Sequence, residues 1–183
     1  IKDLKSFGIK HEIEYNFDLI KAIGVNSDKK LPFIYIDNKE EERALGILAE
    51  HGITKESGFA VIHPWTSDPI KQWPINNFIE LAKEITNQLN LKIVIIGGRE
   101  ESGRGESLFG NISSDVINLT GKTSLKESAS LLKHSKLLIS GDSGPVHLAA
   151  CVGAPVVAIF RNDIPAKSST RWGPISEGSS VIE

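Results

Sequence analysis

Residues 136–160, KLLISGDSGPVHLAACVGAPVVAIF, constrain this chain more than any other stretch. Leu137, Leu138 and Ile139 form a short apolar run, bounded by Gly141. The turn Gly141-Asp142-Ser143-Gly144 follows. Pro145 falls at a helix start, where a missing N–H costs nothing, and Ser143 or Gly144 is the expected cap. Gly153 sits where a left-handed residue closes a helix. Residues 156–160 are a second all-apolar run. Apolar runs on both sides of a short helix predict a βαβ unit in a sheet covered on both faces.

The same pattern extends upstream. Residues 11–23 (HEIEYNFDLIKAI) place Ile13, Phe17, Ile20 and Ile23 at helical spacing, and Gly24 ends the run. Residues 31–36 (LPFIYI) read as a strand. Asp37 or Asn38 then caps a helix to about residue 50. Its first turn holds Glu40, Glu41 and Glu42, where negative charge is favoured. Its buried stripe is Ala44, Leu45, Leu48 and Ala49. Residues 59–62 (FAVI) are the next buried strand, followed by a long polar turn over 63–74. A helix over 75–89 turns Phe78, Leu81, Ala82 and Ile85 inward. Residues 91–96 (LKIVII) form a strand ending at Gly97-Gly98, and Arg99, Glu100 and Glu101 open a helix. Residues 116–119 are a short strand. Ser124 and Glu127 make a capping box for a helix over 125–134. Beyond Phe160 the pattern weakens into Ser, Pro and Gly, with Val181-Ile182 starting a last strand. Strands and helices thus alternate about five times, which predicts an α/β class: a doubly wound, mostly parallel, Rossmann-like sheet.

Polar residues collect after the strand ends: Thr66, Ser67 and Lys71, then residues 97–101, 120–123 and 142–147. All fall on the sheet edge where open α/β folds bind ligands. A helix start there offers free N–H groups and partial positive charge to a phosphate. Lys71 adds a point charge, Thr66 and Ser67 add hydroxyl donors. Each has a plainer reading: Asp142 and Ser143 as helix caps, His147 and Lys71 as solvated side chains. Glu100 or Glu101 suits a ribose hydroxyl, or serves as helix N-terminal charge. Neither GxxxxGK[ST] nor GxGxxG occurs. GDSGP is similar to the GDSGGP of trypsin-like proteases, but that family is all-β and disulfide-bonded. This chain has one cysteine, Cys151, and alternating elements. Trp73-Pro74 before a helix reads as a packing staple. His63 at a strand end stays open, while His11, His51 and His134 read as surface residues. No spacing of His, Cys and carboxylates argues for a metal site.

Two stretches together carry a family resemblance. Lys71-Gln72-Trp73-Pro74 after an apolar strand, and Asp142-Ser143-Gly144-Pro145-Val146-His147-Leu148-Ala149-Ala150 near the end, resemble glycosyltransferase family nine. These are the heptosyltransferases of lipopolysaccharide core synthesis. The resemblance runs from about residue 11 to Pro174 and includes Arg171-Trp172-Gly173-Pro174. It implies the GT-B architecture, two Rossmann-like domains facing across a cleft. Residues 31–183 would be the C-terminal, nucleotide-sugar donor-binding domain. Residues 1–30 would be a linker or crossover segment from an N-terminal domain. The implied donor is an ADP-activated heptose, and the implied acceptor is a lipid-linked saccharide, the lipopolysaccharide core precursor. Transfer would be inverting, with no metal and no other cofactor. At the matching positions Thr66, Ser67 and Lys71 would contact the donor phosphates. Asp142 would hold sugar hydroxyls, while Ser143, Gly144 and His147 would line phosphates and sugar. Glu100 would reach the ribose, and Thr123 would border the adenine. The family's general base is an aspartate of the N-terminal domain. This chain is therefore expected to hold no catalytic residue, and to bind donor without transferring sugar. Trp65 stands where that family often has a small residue, and Arg161 where Gly is common.

Charge and composition add exclusions. A net charge of -2 over 183 residues gives no general attraction to nucleic acid. One cysteine rules out an internal disulfide and fits a reducing compartment, so the cytoplasm is expected. The lipid-linked acceptor implies peripheral contact of the full enzyme with the inner face of the inner membrane. No apolar run is long enough to span a bilayer. The chain starts at Ile1 and contains no methionine, which reads as a piece of a longer protein. Two other readings share these residues: a domain for a different nucleotide sugar, and a non-catalytic sugar-nucleotide-binding module. ADP against UDP and GDP separates the first. An N-terminal domain without the base aspartate would favour the second.

Overall fold

The computed structural model describes residues 5–26, 31–54 and 57–183. In chain order the elements are α1 (Glu12–Ala22), α2 (Asn38–Glu50), β1 (Phe59–His63), α3 (Ile75–Leu89) and β2 (Lys92–Ile95). They continue with α4 (Ser102–Phe109), β3 (Val116–Asn118), α5 (Leu125–His134), β4 (Leu138–Gly141) and α6 (Gly144–Val152). The last are β5 (Val156–Ile159), α7 (Ser169–Trp172) and β6 (Ser180–Ile182). The strands form one parallel sheet in the order β3-β2-β1-β4-β5-β6. This is the doubly wound α/β order of the Rossmann type. The chain steps outward from β1 to β3, then returns to lay β4 on the other side of β1. That reversal opens a crevice at the carboxyl ends of β1 and β4, where His63 lies in register with Ser140.

Successive residues of a strand face opposite ways, so each strand feeds two apolar layers. Phe59 and Val61 of β1 join one layer with Leu48 of α2, Leu131 and Leu132 of α5, and Val146 of α6. Ala60 and Ile62 join the other with Phe78 and Ala82 of α3 and Phe109 of α4. Every β1 residue is buried, which is why the strand reads as a continuous apolar run. The expected capping box of Ser124 with Glu127 forms, and Asp37, one of the two expected caps of α2, makes a further box with Glu40. The Trp73 ring meets Phe78 edge to face at 4.7 Å across Pro74, a staple that fixes how the chain enters α3. Gly153 closes α6 at φ +74°. Among the described residues no helix is long and apolar enough to cross a membrane.

Three expectations need correction. Residues 31–36 form no strand: Leu31, Phe33 and Tyr35 are 65%, 84% and 72% exposed. Alternating apolar residues make a strand only where a ladder partner and an apolar layer receive them, and among the described residues neither does so here. In α2, Ala44 and Leu48 are buried with Ile47 beside them, whereas Leu45 and Ala49 face outward. His11 is not a free surface residue. Its Nδ1 accepts from the Ile13 N–H at 3.2 Å and caps α1, while Nε2 donates to the Gly173 carbonyl at 3.0 Å. Arg171 reinforces this link by donating to Glu12 at 2.9 Å, and Lys5 pairs with the same carboxylate. So α1 is tied to the C-terminal segment of this sheet domain. Of the expected linker, residues 1–4 and 27–30 lie outside the described residues.

Candidate functional site

The crevice begins with a chain of hydroxyls. Ser143 takes the N-cap position of α6, yet its side chain makes no capping bond. Its Oγ lies 3.1 Å from His63 Nδ1 and 2.8 Å from Ser140 Oγ instead. Ser140 Oγ lies 3.3 Å from the same ring nitrogen and donates to the Gly141 carbonyl at 2.9 Å. Of the first positions of α6, Pro145 has no N–H and Val146 donates to the Ser143 carbonyl at 3.2 Å, which leaves the Gly144 N–H at the helix start for an anion. Burial pushes the His63 pKa down to about 4, with its own backbone carbonyl pulling weakly the other way. The ring is neutral at pH 7.

Beside this chain stands an ion pair. Lys71 Nζ lies 2.5 Å from Asp142 Oδ2, and the Asp142 side chain is only 8% exposed. Lys71 ends a 3-10 turn over Pro69–Lys71 that Asp68 caps by accepting from the Ile70 N–H at 3.1 Å. Asp68 also pairs with Lys167 at 2.5 Å, and that ammonium holds its carboxyl below the usual range. Arg161 donates to the Ile70 carbonyl at 2.9 Å. An arginine thus fastens the loop after β5 to the loop after β1. One turn into α6, His147 meets the Trp172 ring edge-on at 6.0 Å. Burial lowers its pKa; Asp142 opposes the shift, while His11 and Lys71 add to it.

A cavity of about 280 Å³ adjoins the crevice. Ile96, Leu125, Pro145 and Leu148 give it apolar walls, and His63, Thr123 and Ser128 give it polar groups. The Thr123 and Ser128 hydroxyls are 2.8 Å apart and bonded to each other. Its size suits a flat ring with part of a second, just below the ~300–1,000 Å³ usual for small-molecule sites. Gly97 and Gly98 complete the wall. A Cβ on Gly97 would stand 2.3 Å from Trp65 Nε1, so only glycine fits against this indole. Trp65 is buried, donates to the Ile96 carbonyl at 3.1 Å and meets Phe109 edge-on at 6.0 Å. Its bulk fills the wall behind the cavity, in space that Gly97 leaves open.

The residues singled out from sequence divide into two groups. Lys71 and Asp142 meet, with Ser143, Gly144 and His147 following on α6, while Thr123 lines the cavity. Glu100 is exposed at the rim, its carboxylate folded over Gly98. Thr66 and Ser67 are less engaged. The Thr66 hydroxyl accepts from the Asp68 N–H at 3.2 Å and so builds the turn, and Ser67 is exposed. Sequence reasoning passed over Ser140 and Ser128 and left His63 open. The signal was a serine inside the otherwise apolar run before Gly141. Among the described residues no group of three or more His, Cys, Asp and Glu is placed to hold a metal.

The family model described as "Glycosyltransferase family 9 (heptosyltransferase)" matches residues 3–183. Lipopolysaccharide heptosyltransferase 2 of Salmonella typhimurium is 30% identical over 101 residues, 53% of this chain and 29% of that protein. The solved structure of a family 9 glycosyl transferase from Veillonella parvula superposes with TM-score 0.82 at 24% identity, covering 95% of this chain and 49% of that one. The E. coli ADP-heptose lps heptosyltransferase II gives TM-score 0.71 at 22% identity, over 88% and 48% of the two chains. The chain thus spans about half of each solved structure and a smaller share of the curated relative. The structural likeness establishes a shared fold.

Proposed function

The chain belongs to glycosyltransferase family 9, and from that premise we propose that it is the nucleotide-sugar donor-binding domain of a heptosyltransferase. The donor is ADP-heptose and the acceptor a lipopolysaccharide core precursor. The observation that carries this is the Lys71–Asp142 pair at the start of α6, beside a cavity with apolar walls and polar groups that suits a flat ring. In this reading the adenine enters between Leu125, Pro145 and Leu148, bordered by Thr123, and Glu100 reaches the ribose from the rim. The diphosphate lies at the N-terminus of α6, within reach of Lys71 and the hydroxyls of Thr66 and Ser67, with Ser143 bordering it. Asp142 accepts from sugar hydroxyls, and His147 and Gly144 border the sugar.

Breaking the bond between the anomeric carbon and the diphosphate leaves negative charge on ADP. Lys71 and the Gly144 N–H at the start of α6 are fixed before that charge appears, so they stabilise the transition state more than the ground state. This supply of positive charge needs neither a metal nor another cofactor. An inverting transfer requires the acceptor hydroxyl to attack from the opposite face, deprotonated by a base. We assign that base to the N-terminal domain that the relatives' extra length accommodates. Residues 1–30 then join the two domains, with residues 31–183 as the donor half. The enzyme works in the cytoplasm, and a lipid-linked acceptor brings it to the membrane surface.

Calorimetric titration with ADP, UDP and GDP tests the reading, repeated on Lys71→Ala. Saturable binding that prefers ADP and weakens at least tenfold in the variant is the expected result, about the 1.5–3 kcal/mol of a charge-assisted contact. Preference for UDP or GDP would transfer the site to another nucleotide sugar. Sugar transfer by residues 1–183 alone would remove the assignment of the base to a second domain.

A further inference from the structure

His63 closes β1 at the centre of the crevice, and its ring protonation follows from counting protons. Each serine hydroxyl has one proton to give, and a carbonyl has none. Ser140 donates to the Gly141 carbonyl at 2.9 Å, so its proton is spent. Its oxygen, 2.8 Å from Ser143 Oγ, can then only accept, which spends the proton of Ser143. Neither hydroxyl has a proton left for His63 Nδ1, 3.1 Å from Ser143 Oγ and 3.3 Å from Ser140 Oγ. The nitrogen must therefore carry the proton and donate it. Any other assignment leaves lone pairs facing each other at one of these contacts. Burial keeps the ring neutral, with a pKa of about 4, so it holds a single proton. Nε2 is then a bare acceptor on a side chain that lines the cavity.

We infer that His63 Nε2 is a hydrogen-bond acceptor built into the donor site, reserved for a hydroxyl of the nucleotide sugar. The inference rests on the donor-binding reading above and adds a direction to it. Lys71 and the Gly144 N–H offer donors, which suit phosphate oxygens. His63 offers the reverse, and it repels any group that can only accept. Phosphate oxygens are thus steered toward Lys71 and away from His63, and a ribose or sugar hydroxyl takes the other end. His63 sets the polarity of binding through the serine chain, so it is a specificity residue.

The tautomer is measured in the free ¹⁵N-labelled protein by long-range ¹H–¹⁵N correlation of the imidazole. A protonated Nδ1 with a bare Nε2 is expected, and a proton on Nε2 overturns the inference whatever the ligand does. Addition of ADP or an ADP-sugar should then shift Nε2. Binding that leaves Nε2 unmoved also overturns it, while the donor-binding reading survives. No binding of either ligand overturns both. Affinity supplies a second arm. His63→Asn keeps a polar group near Nδ1 and loses the distal acceptor, and should weaken binding about three- to tenfold, one neutral hydrogen bond. His63→Gln carries an amide oxygen near the place of Nε2 and should restore most of the loss. A loss seen with ADP and absent with its 2′- or 3′-deoxy analogue identifies the ribose hydroxyl. A loss seen only with the ADP-sugar identifies the sugar.

Discussion

Lys71 and Asp142 show how one contact serves two demands. A carboxylate 8% exposed needs its partner, and the partner is also the cation assigned to the diphosphate. Lys71→Ala leaves the Asp142 charge buried and unpaired. Stability should fall by about 2 kcal/mol, less than the roughly 3–5 kcal/mol of a fully buried pair, because the Lys71 side chain keeps 21% exposure. Asp142→Asn removes the buried charge and frees Lys71 to turn toward water, so it should cost less. Urea unfolding of both variants decides the matter, and equal losses would argue against a desolvated pair. At this scale the legible residues were those whose partners lie close by or in one motif: Asp142, Ser143, Gly144 and His147 follow a strand and open a helix. His63 was not legible, because its serine partners stand 77 and 80 positions away. His11 was misread for the same reason, with its carbonyl partner 162 positions distant.

Among the elements, local rules were reliable wherever the signal and its partner sit within one turn. The Ser124–Glu127 box is the plain case: the Ser124 side chain accepts from the Glu127 N–H, and the Glu127 carboxylate accepts from the Ser124 N–H at 2.7 Å. Ser124→Ala should lower stability by about 1 kcal/mol in urea unfolding, the ordinary value of a lost N-cap. No change would mean that Glu127, also bound to Arg43 at 2.9 Å, holds the helix start unaided. Ser143 is the contrast. It occupies the same position on α6 but turns its hydroxyl to His63, which no helix-capping rule foresees. The stretch over 31–36 fails in the opposite direction. Its alternation is strand-like, but a strand is a property of a pair, and no strand of the sheet receives it.

For the whole molecule, acidity is the informative variable. His63 has a pKa near 6.5 when unfolded and about 4 when folded, so the unfolded chain binds more protons between those values. Stability then rises with pH across that window, and it is lost as pH falls from about 6.5 toward 4. At about 1.4 kcal/mol per unit the full loss is of the order of 3 kcal/mol. Lowering of the His147 pKa acts in the same sense. Glu12, Glu41 and Asp68, all held below their usual values, lose their contributions mainly at lower pH. Urea midpoints should therefore drop between pH 7 and pH 5, and His63→Gln should flatten most of that drop. An unchanged slope in the variant would move the titration to another group. The parallel α/β class was legible at this scale, because strands covered on both faces must be apolar throughout. The strand order was not, since it depends on which side of β1 the chain chooses when it returns.

That return has a consequence for how the domain responds to what it holds. The crevice is a seam: β1, β2 and β3 lie to one side and β4, β5 and β6 to the other, with His63 on the first bank and Asp142 and Ser143 following β4 on the second. A molecule seated there touches both banks, so its binding free energy is forfeited if either half of the sheet frays. Occupancy therefore acts as a clasp that makes two halves, each with its own local opening equilibrium, open and close as one cooperative unit.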